Sequence, residues 1–154
     1  MAMVSFLNEI KPDGDLSCIG DWFVGDAEGV RHMASYAQPE EWRKLFSSSR
    51  RGWFFISVAT GRAVGFIDLE IDGETGYFAY YIAPESRGAG HGTQALRALI
   101  ELARQLGLGE LKGGVEPDNT ASIAALKKTG FQFLDLDEDD MFPVWMELAS
   151  SNDR

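Results

Sequence analysis

Residues 80–93 combine a short apolar run, a glycine-rich loop and the beginning of a helical pattern. The loop carries glycine at three alternate positions, Gly88, Gly90 and Gly92. Because glycine reaches positive φ and has no Cβ, consecutive backbone N–H groups can point at one anion. A helix N-terminus adds unpaired N–H groups and partial positive charge. The segment therefore predicts a strand–loop–helix unit that binds a phosphate-bearing ligand.

Three phosphate-binding patterns compete here with the simpler interpretation of a tight turn between strand and helix. A nucleotide P-loop ends in Gly-Lys followed by Ser or Thr, and this loop has no lysine. A dinucleotide fingerprint requires a third glycine where this chain has Thr93, so it fails by one residue. The remaining pattern is Arg-x-x-Gly-x-Gly, which Arg87, Gly90 and Gly92 satisfy.

This last pattern resembles the acyl-CoA pyrophosphate loop of the GNAT superfamily of N-acetyltransferases. A second segment, residues 115–131, is similar to another signature of that family, in which an Asn opens a helix that closes in Gly-Phe; here these are Asn119, Gly130 and Phe131. The resemblance covers about residues 64–133. With serine at position 122, the pattern most resembles the branch of the family that acetylates the N-termini of ribosomal proteins.

Periodicity along the chain predicts the order β-α-α-β-β-β-α-β-α-β-β, which matches the fold of the family. That fold is α+β, with a mixed, mostly antiparallel sheet of about seven strands flanked by helices. We expect one domain over residues 1–154, with 150–154 as a frayed tail. Strands are predicted at 4–10 and 131–136, among others, and Asp72-Gly73 predicts a hairpin.

The resemblance implies acetyl-CoA as the cosubstrate, with its pantetheine arm beside the strand that precedes the glycine loop. The residues expected to contact it belong to that strand end, the loop and the second signature. They are Tyr81, Ile82, Ala83, Arg87, Gly88, Ala89, Gly90, His91, Gly92, Thr93, Asn119 and Lys127.

Composition limits the other classes of function. The 154 residues are 45% hydrophobic, which suits a globular domain with its own core. The net charge of −10 disfavours nucleic acid as a partner. No apolar run approaches the roughly 20 residues of a membrane span, and no signal-peptide pattern is present, so we expect a cytoplasmic protein. Cys18 is the sole cysteine and the two histidines lie far apart, so neither a disulfide nor a metal site is expected.

An acyl thioester is already activated, so an amine can attack it without a protein nucleophile. A base, an oxyanion donor and an acid for the thiolate would assist. The backbone near Ile82 is the expected oxyanion donor. Many members of the family that the motifs resemble carry a tyrosine as this acid, where this chain has Leu126. Ser122 is therefore the candidate acid here. Asp68 and Glu70 share a predicted strand face and are candidate bases, although a solvated face is the simpler interpretation.

The acceptor is expected to be a small-molecule or peptide amine, with a homodimer left open. The acidic run at residues 137–140 should border the acceptor cleft and attract a cationic amine, unless it is merely a solvated loop. Trp22, Tyr36 and Trp42 could line the pocket, and His91 is expected to face solvent. The competing hypothesis is a non-catalytic module that binds acyl-CoA as a sensor.

Overall fold

The computed structural model describes residues 6–11, 13–43 and 51–148. Seven strands, β1 to β7 in chain order, form the sheet; they are Phe6–Glu9, Arg51–Ser57, Ala63–Asp72, Thr75–Ile82, Glu110–Val115, Gln132–Phe133 and Phe142–Glu147. The α-helices, α1 to α5, are Ser17–Phe23, Ala27–His32, Pro39–Arg43, His91–Gln105 and Thr120–Lys128. Within the described residues, no helix is both long and apolar enough to span a bilayer.

The seven strands lie in the order β1-β2-β3-β4-β5-β7-β6. Every neighbouring pair is antiparallel except β4 and β5, which run parallel. The predicted hairpin joins β3 to β4, and Gly73 in its turn has φ +63°. The predicted α+β class and strand number are confirmed, but the N-terminal part has a third short helix, α3, that the predicted element order lacked.

β3 is buried on both faces, because helices cover both sides of the sheet. On one side Ile67 and Leu69 pack in a cluster with Leu96 and Leu99 of α4. On the opposite side Phe66 packs in a second cluster, with aromatic side chains of α1 and β4. The alternation of β3 therefore divides residues between two cores rather than between core and solvent.

β4 and β5 pair over only three positions and then separate. The paired residues are Thr75 with Glu110, Gly76 with Leu111, and Tyr77 with Lys112. Beyond them β4 continues to Ile82 without a β5 partner in the ladder. The separation leaves backbone groups of β4 available to a ligand, as a pantetheine arm beside this strand would require.

Two predicted strands differ from the structure. The strand expected at 131–136 is reduced to Gln132–Phe133. The facing Pro143 has no N–H to donate to the ladder. Beyond it the chain turns, because the Asp137 carboxylate accepts hydrogen bonds from the N–H groups of Asp139 and Met141. The first strand is Phe6–Glu9; the remainder of its predicted N-terminal part lies outside the described residues, as do the tail at 150–154 and the Trp42 side chain.

Candidate active site

A cleft of about 480 Å³ lies beside β4 where that strand leaves β5. Its walls come from α2, the end of β4, the glycine loop at residues 87–92 with the start of α4, and the beginning of α5. Of the predicted cofactor contacts, those lining it are Tyr81, Ile82, Arg87, Gly88, Gly90, His91, Gly92, Thr93 and Asn119. The two sequence motifs, separated along the chain, therefore meet at one cleft.

The glycine loop has the backbone of an anion site. Gly88 and Gly90 have φ +82° and +85°, in the left-handed region that favours glycine. A Cβ placed on either residue would meet nothing within 4 Å, so the space above the loop is open. Gly90 is also the N-cap of the 15-residue helix α4, with no side chain capping it. This geometry suits the diphosphate of coenzyme A.

Arg87 is held by several partners at the edge of this cleft. Its Nη2 lies 2.8 Å from Oδ2 of the buried Asp26, and its Nε donates to the carbonyl of Ile82 at 3.0 Å. The guanidinium also sits 5.3 Å from the ring centroid of Tyr81. Arg87 is therefore positioned in advance, with its side chain still 43% exposed toward a ligand.

The Asp26 carboxylate joins α2 to β4 as well. Tyr81 donates its hydroxyl to Oδ2 at 2.5 Å, and the N–H of Gly29 donates to Oδ1 at 3.2 Å. Burial alone would raise the pKa of Asp26, but the bonds from Arg87 and Tyr81 outweigh it and leave that pKa below its ordinary value. Burial, followed by the Asp26 contact, raises the pKa of Tyr81.

The second signature forms the facing wall. Asn119 caps α5, accepting a hydrogen bond from the N–H of Ser122 at 3.3 Å, as the N-cap prediction required. The Ser122 Oγ accepts a hydrogen bond from the Tyr80 hydroxyl at 3.0 Å. Burial raises the pKa of Tyr80, and the bond to Ser122 offsets part of that rise.

A second cavity of about 270 Å³ adjoins the first and shares part of its wall. The shared residues are His32, Met33, Tyr80, Asn119 and Ser122. Beyond them, the second cavity is walled largely by apolar groups; these are Tyr36, Phe78, Ala79, Gly114, Val115, Leu126 and Met141, with Glu116 as a charged exception. A thioester placed between the two cavities could be reached from both sides.

Both candidate bases lie outside the cavities. Asp68 is 3% exposed and accepts a hydrogen bond from the Tyr36 hydroxyl at 2.7 Å, so it fixes a wall residue from behind. Glu70 is exposed and lines neither cavity. The expectation that this strand face opens onto the acceptor cleft is wrong, because helix α1 and the turn around Tyr36 cover the face at Asp68.

Three predicted cofactor contacts are also displaced from the cleft. Ala83 is fully buried, and its N–H donates to the carbonyl of Val64. Ala89 is exposed but does not line the cleft. The Nζ of Lys127 lies 5.7 Å from the centroid of the Phe133 ring, on the outer side of α5. Helical periodicity turns Lys127 away from the face that Asn119 and Ser122 present.

Three further expectations change. His91 was expected to face solvent, but it is 4% exposed, because it is the first residue of α4 rather than part of the open loop. The acidic residues 137–140 are exposed and line neither cavity; the following residue, Met141, reaches the second one. Of the proposed aromatic lining, Tyr36 contributes and Trp22 lies in the core.

A charged cluster ties α2 to the turn between β5 and α5. Arg31 donates to Glu116 at 3.0 Å and to Asp118 at 2.6 Å. Nδ1 of His32 lies 2.9 Å from Oε1 of Glu116, without the alignment of a hydrogen bond. His32, Glu116 and Asp118 have the donor types of a metal site, but both carboxylates already bond to the Arg31 guanidinium.

The sequence pointed to no role for His32 and Met33 in the site, and Tyr80 stayed unassigned between binding and core. His32 and Met33 line both cavities from α2, an element to which no motif pointed. Tyr80 precedes the first signature directly, so its place at the end of the splayed strand was readable. Its bond to Ser122 was not, since the two residues lie 42 positions apart.

Comparison with known proteins agrees with this geometry. The model of the acetyltransferase (GNAT) family matches residues 17–131, which is most of the chain. The L-methionine sulfoximine/L-methionine sulfone acetyltransferase of Pseudomonas aeruginosa is 42% identical over 52 residues, 34% of this chain and 30% of that protein. The matched segment thus spans less than a third of that relative.

Solved structures share the whole fold. Spermidine N-acetyltransferase from Vibrio cholerae in complex with CoA and spermine superposes with a TM-score of 0.77 at 18% identity, covering 94% of this chain and 95% of that one. Campylobacter jejuni PseH in complex with acetyl coenzyme A gives 0.72 at 19%, covering 95% and 100%. At these identities the likeness concerns the fold. The family model, which matches more than half of the chain, shows that the chain belongs to the acetyltransferase (GNAT) family.

Proposed function

We propose that this protein transfers an acetyl group from acetyl-CoA to a primary amine by direct attack of the amine on the thioester. The observation that carries the proposal is the splay of β4 from β5 beside a cleft that ends on the open glycine loop. The strand offers backbone groups for pairing with a pantetheine arm, and the loop offers N–H groups for a diphosphate. Relatives whose structures hold CoA or acetyl-CoA support the choice of cosubstrate.

The acceptor is placed in the second cavity. Its volume of about 270 Å³ lies just below the usual range for drug-sized ligands, so the acceptor is small. Among the described residues that line it, Glu116 is the only carboxylate, and it lies beside His32. A single ammonium can therefore be attracted at one end, while Met33, Phe78 and Leu126 contact an apolar body. These features favour a monoamine on a short apolar chain.

The finer predictions remain parts of this proposal. Ser122 supports a place in the ribosomal-protein N-terminal branch, and peptide N-termini therefore belong among the acceptors to be tried. A cationic acceptor is supported by the net charge of −10, although residues 137–140 lie outside both cavities. A cytoplasmic location, a single domain over 1–154 and a homodimer are kept as expectations.

The proposal assigns roles to the catalytic candidates. Ser122 stands between the cavities and serves as a proton donor. Asp68 acts only by holding Tyr36, and Glu70 is given no part in the chemistry. The groups that can accept a proton from the acceptor ammonium are His32 and Glu116, which line its cavity, and water.

The test is release of free thiol from acetyl-CoA in the presence of matched amines. The panel contains short apolar monoamines, the corresponding amino acids, spermidine, and a peptide with a free N-terminus. Thiol release with acylated product is the expected result, highest for the apolar monoamines. Calorimetry of CoA binding is run in parallel. Binding of CoA without thiol release from any amine would instead support the non-catalytic sensor.

A further inference from the structure

We infer that Tyr80 and Ser122 form a two-hydroxyl relay that supplies the proton to the departing thiolate, an inference that rests on the proposed acetyl transfer. Ser122 is the group that would contact the sulfur. Tyr80 acts through it as the proton source. The two side chains come from different elements, β4 and α5, and meet at the boundary of the two cavities.

The contact between the two hydroxyl groups, at the boundary of the cavities, carries the inference. Tyr80 donates its hydroxyl proton to the Ser122 Oγ at 3.0 Å. Because Oγ accepts that bond, the proton of the serine hydroxyl remains free to point at a ligand. Asn119 fixes the serine backbone by accepting from its N–H. Since Ser122 lines both cavities, its hydroxyl can point this proton at a ligand between them.

No other hydroxyl in the described part of the chain occupies this position. The residues common to both cavities include Tyr80 and Ser122 as their hydroxyl-bearing members. Tyr36 lines the second cavity only, and its hydroxyl donates to Asp68. Leu126 is apolar and 1% exposed, so it offers no proton.

Tyr80 is suited to hold a proton until it is needed. Its burial disfavours the phenolate, so the group is protonated at neutral pH. A thiolate leaving group has an ordinary pKa of about 8.5, well below that of a phenol. Full transfer of the Tyr80 proton is therefore uphill. The phenolate forms only while negative charge builds on sulfur, and it disappears when the phenol regains a proton.

The amine nitrogen forms its bond to the acyl carbon and loses a proton to water or to the His32–Glu116 pair. The carbon–sulfur bond breaks with its electron pair on sulfur. Ser122 gives its hydroxyl proton to the sulfur and takes the proton of Tyr80. The Tyr80 phenolate is then reprotonated by the proton that the amine released, so amide and free thiol are the products.

The first test compares Tyr80→Phe, Ser122→Ala and the double variant with the wild type. Tyr77→Phe is the matched control, since Tyr77 lies exposed on the same strand. We expect kcat to fall about 100-fold or more in each single variant, and the double variant to fall no further than the worse single one. The KM for acetyl-CoA and the calorimetric Kd for CoA should stay within twofold. A kcat of Tyr80→Phe within twofold of the wild type would overturn the relay.

A second test separates proton transfer from packing. Fluorotyrosine is introduced at position 80, which lowers the pKa of the phenol without removing the hydroxyl. Absorbance titration of the unliganded protein gives the new phenol pKa, and the alkaline limb of kcat should move down with it. A limb that stays in place while the phenol pKa moves would contradict the relay. If the wild type binds CoA but releases no thiol from any amine, the proposed acetyl transfer itself is wrong. That outcome is seen in the wild type alone, so it is distinguishable from a failure of the relay.

Discussion

Arg87 of the glycine loop and Asp26 at the start of α2 form an ion pair, with Nη2 2.8 Å from Oδ2. The pair links the cofactor side of the cleft to the helix that carries His32 and Met33 toward the acceptor cavity. Because Tyr81 also donates to Asp26, the carboxylate is satisfied without a ligand. The loop is therefore preorganised, and its leading cation is oriented before any cofactor binds.

Replacing Asp26 should reduce stability. Asp26→Asn keeps an oxygen for the Gly29 cap but places an amide against Arg87, so the guanidinium loses its charged partner. We expect a loss of about 2 kcal/mol in the free energy of unfolding, moderated because Arg87 is half-exposed. Urea denaturation measures it. Asp21→Asn, at an exposed carboxylate of α1, should change stability by less than about 0.5 kcal/mol. Equal stability of wild type and Asp26→Asn would show that the ion pair contributes nothing.

The same pair predicts a pH dependence. The pKa of Asp26 is lowered in the folded state, so its contribution is present above the unfolded value of about 3.9 and disappears as pH falls through the folded pKa. The difference in unfolding free energy between wild type and Asp26→Asn should therefore be constant from pH 7 to 5 and shrink below about pH 4. A difference that grew on acidification would have the wrong sign for a depressed carboxyl pKa.

Gly90 can be tested against a glycine with the same backbone. Gly90 and Gly107 have φ +85° and +76°, and a Cβ at either residue meets nothing within 4 Å. Gly90→Val and Gly107→Val should each cost about 1–2 kcal/mol of stability from the left-handed backbone. Only Gly90→Val fills the anion site, so only it should lose CoA affinity, by at least tenfold in calorimetry. Equal CoA affinity of the two variants would remove the glycine loop from cofactor binding.

Glu116 should govern acceptor binding. Glu116→Gln removes the carboxylate that lines the second cavity, so the acceptor KM should rise about tenfold, or ~1.4 kcal/mol, with the KM for acetyl-CoA unchanged. Glu147→Gln, at the exposed end of β7, is the matched control and should have no effect.

The acidic loop offers the contrasting experiment. If residues 137–140 recruit a cationic acceptor, replacing them by Asn and Gln should raise the acceptor KM at low salt and have little effect at high salt. The cavity-based assignment expects little change at either salt concentration, since these side chains line neither cavity. A large rise with the loop variant and none with Glu116→Gln would reverse the assignment of the acceptor site.

Local chemistry made much of the architecture predictable. The Asp72-Gly73 turn, the Asn119 cap and the glycine loop each depend on a few adjacent residues, and all three appear as expected. The alternation of β3 was also readable, but which face meets the acceptor depends on the helices packed above it. Asp68 was misassigned for that reason.

Long-range pairing was not predictable in the same way. The Tyr80–Ser122 bond, the Arg87–Asp26 pair and the Arg31 contacts with Glu116 and Asp118 join residues 42 to 87 positions apart. No periodicity or motif spacing encodes such contacts, because they depend on how α2 and α5 are placed over the sheet. His32 stayed unnoticed because its helix carries no family signature.

The central claim is that backbone N–H groups at residues 88–93 hold the diphosphate of coenzyme A beside the free end of β4. A crystal structure of the protein soaked with coenzyme A tests it directly. The predicted result is a diphosphate within hydrogen-bond distance of those N–H groups, with the pantetheine arm running along β4 toward Ser122. A cofactor bound elsewhere, or a glycine loop that stays empty at saturating coenzyme A, would contradict the account.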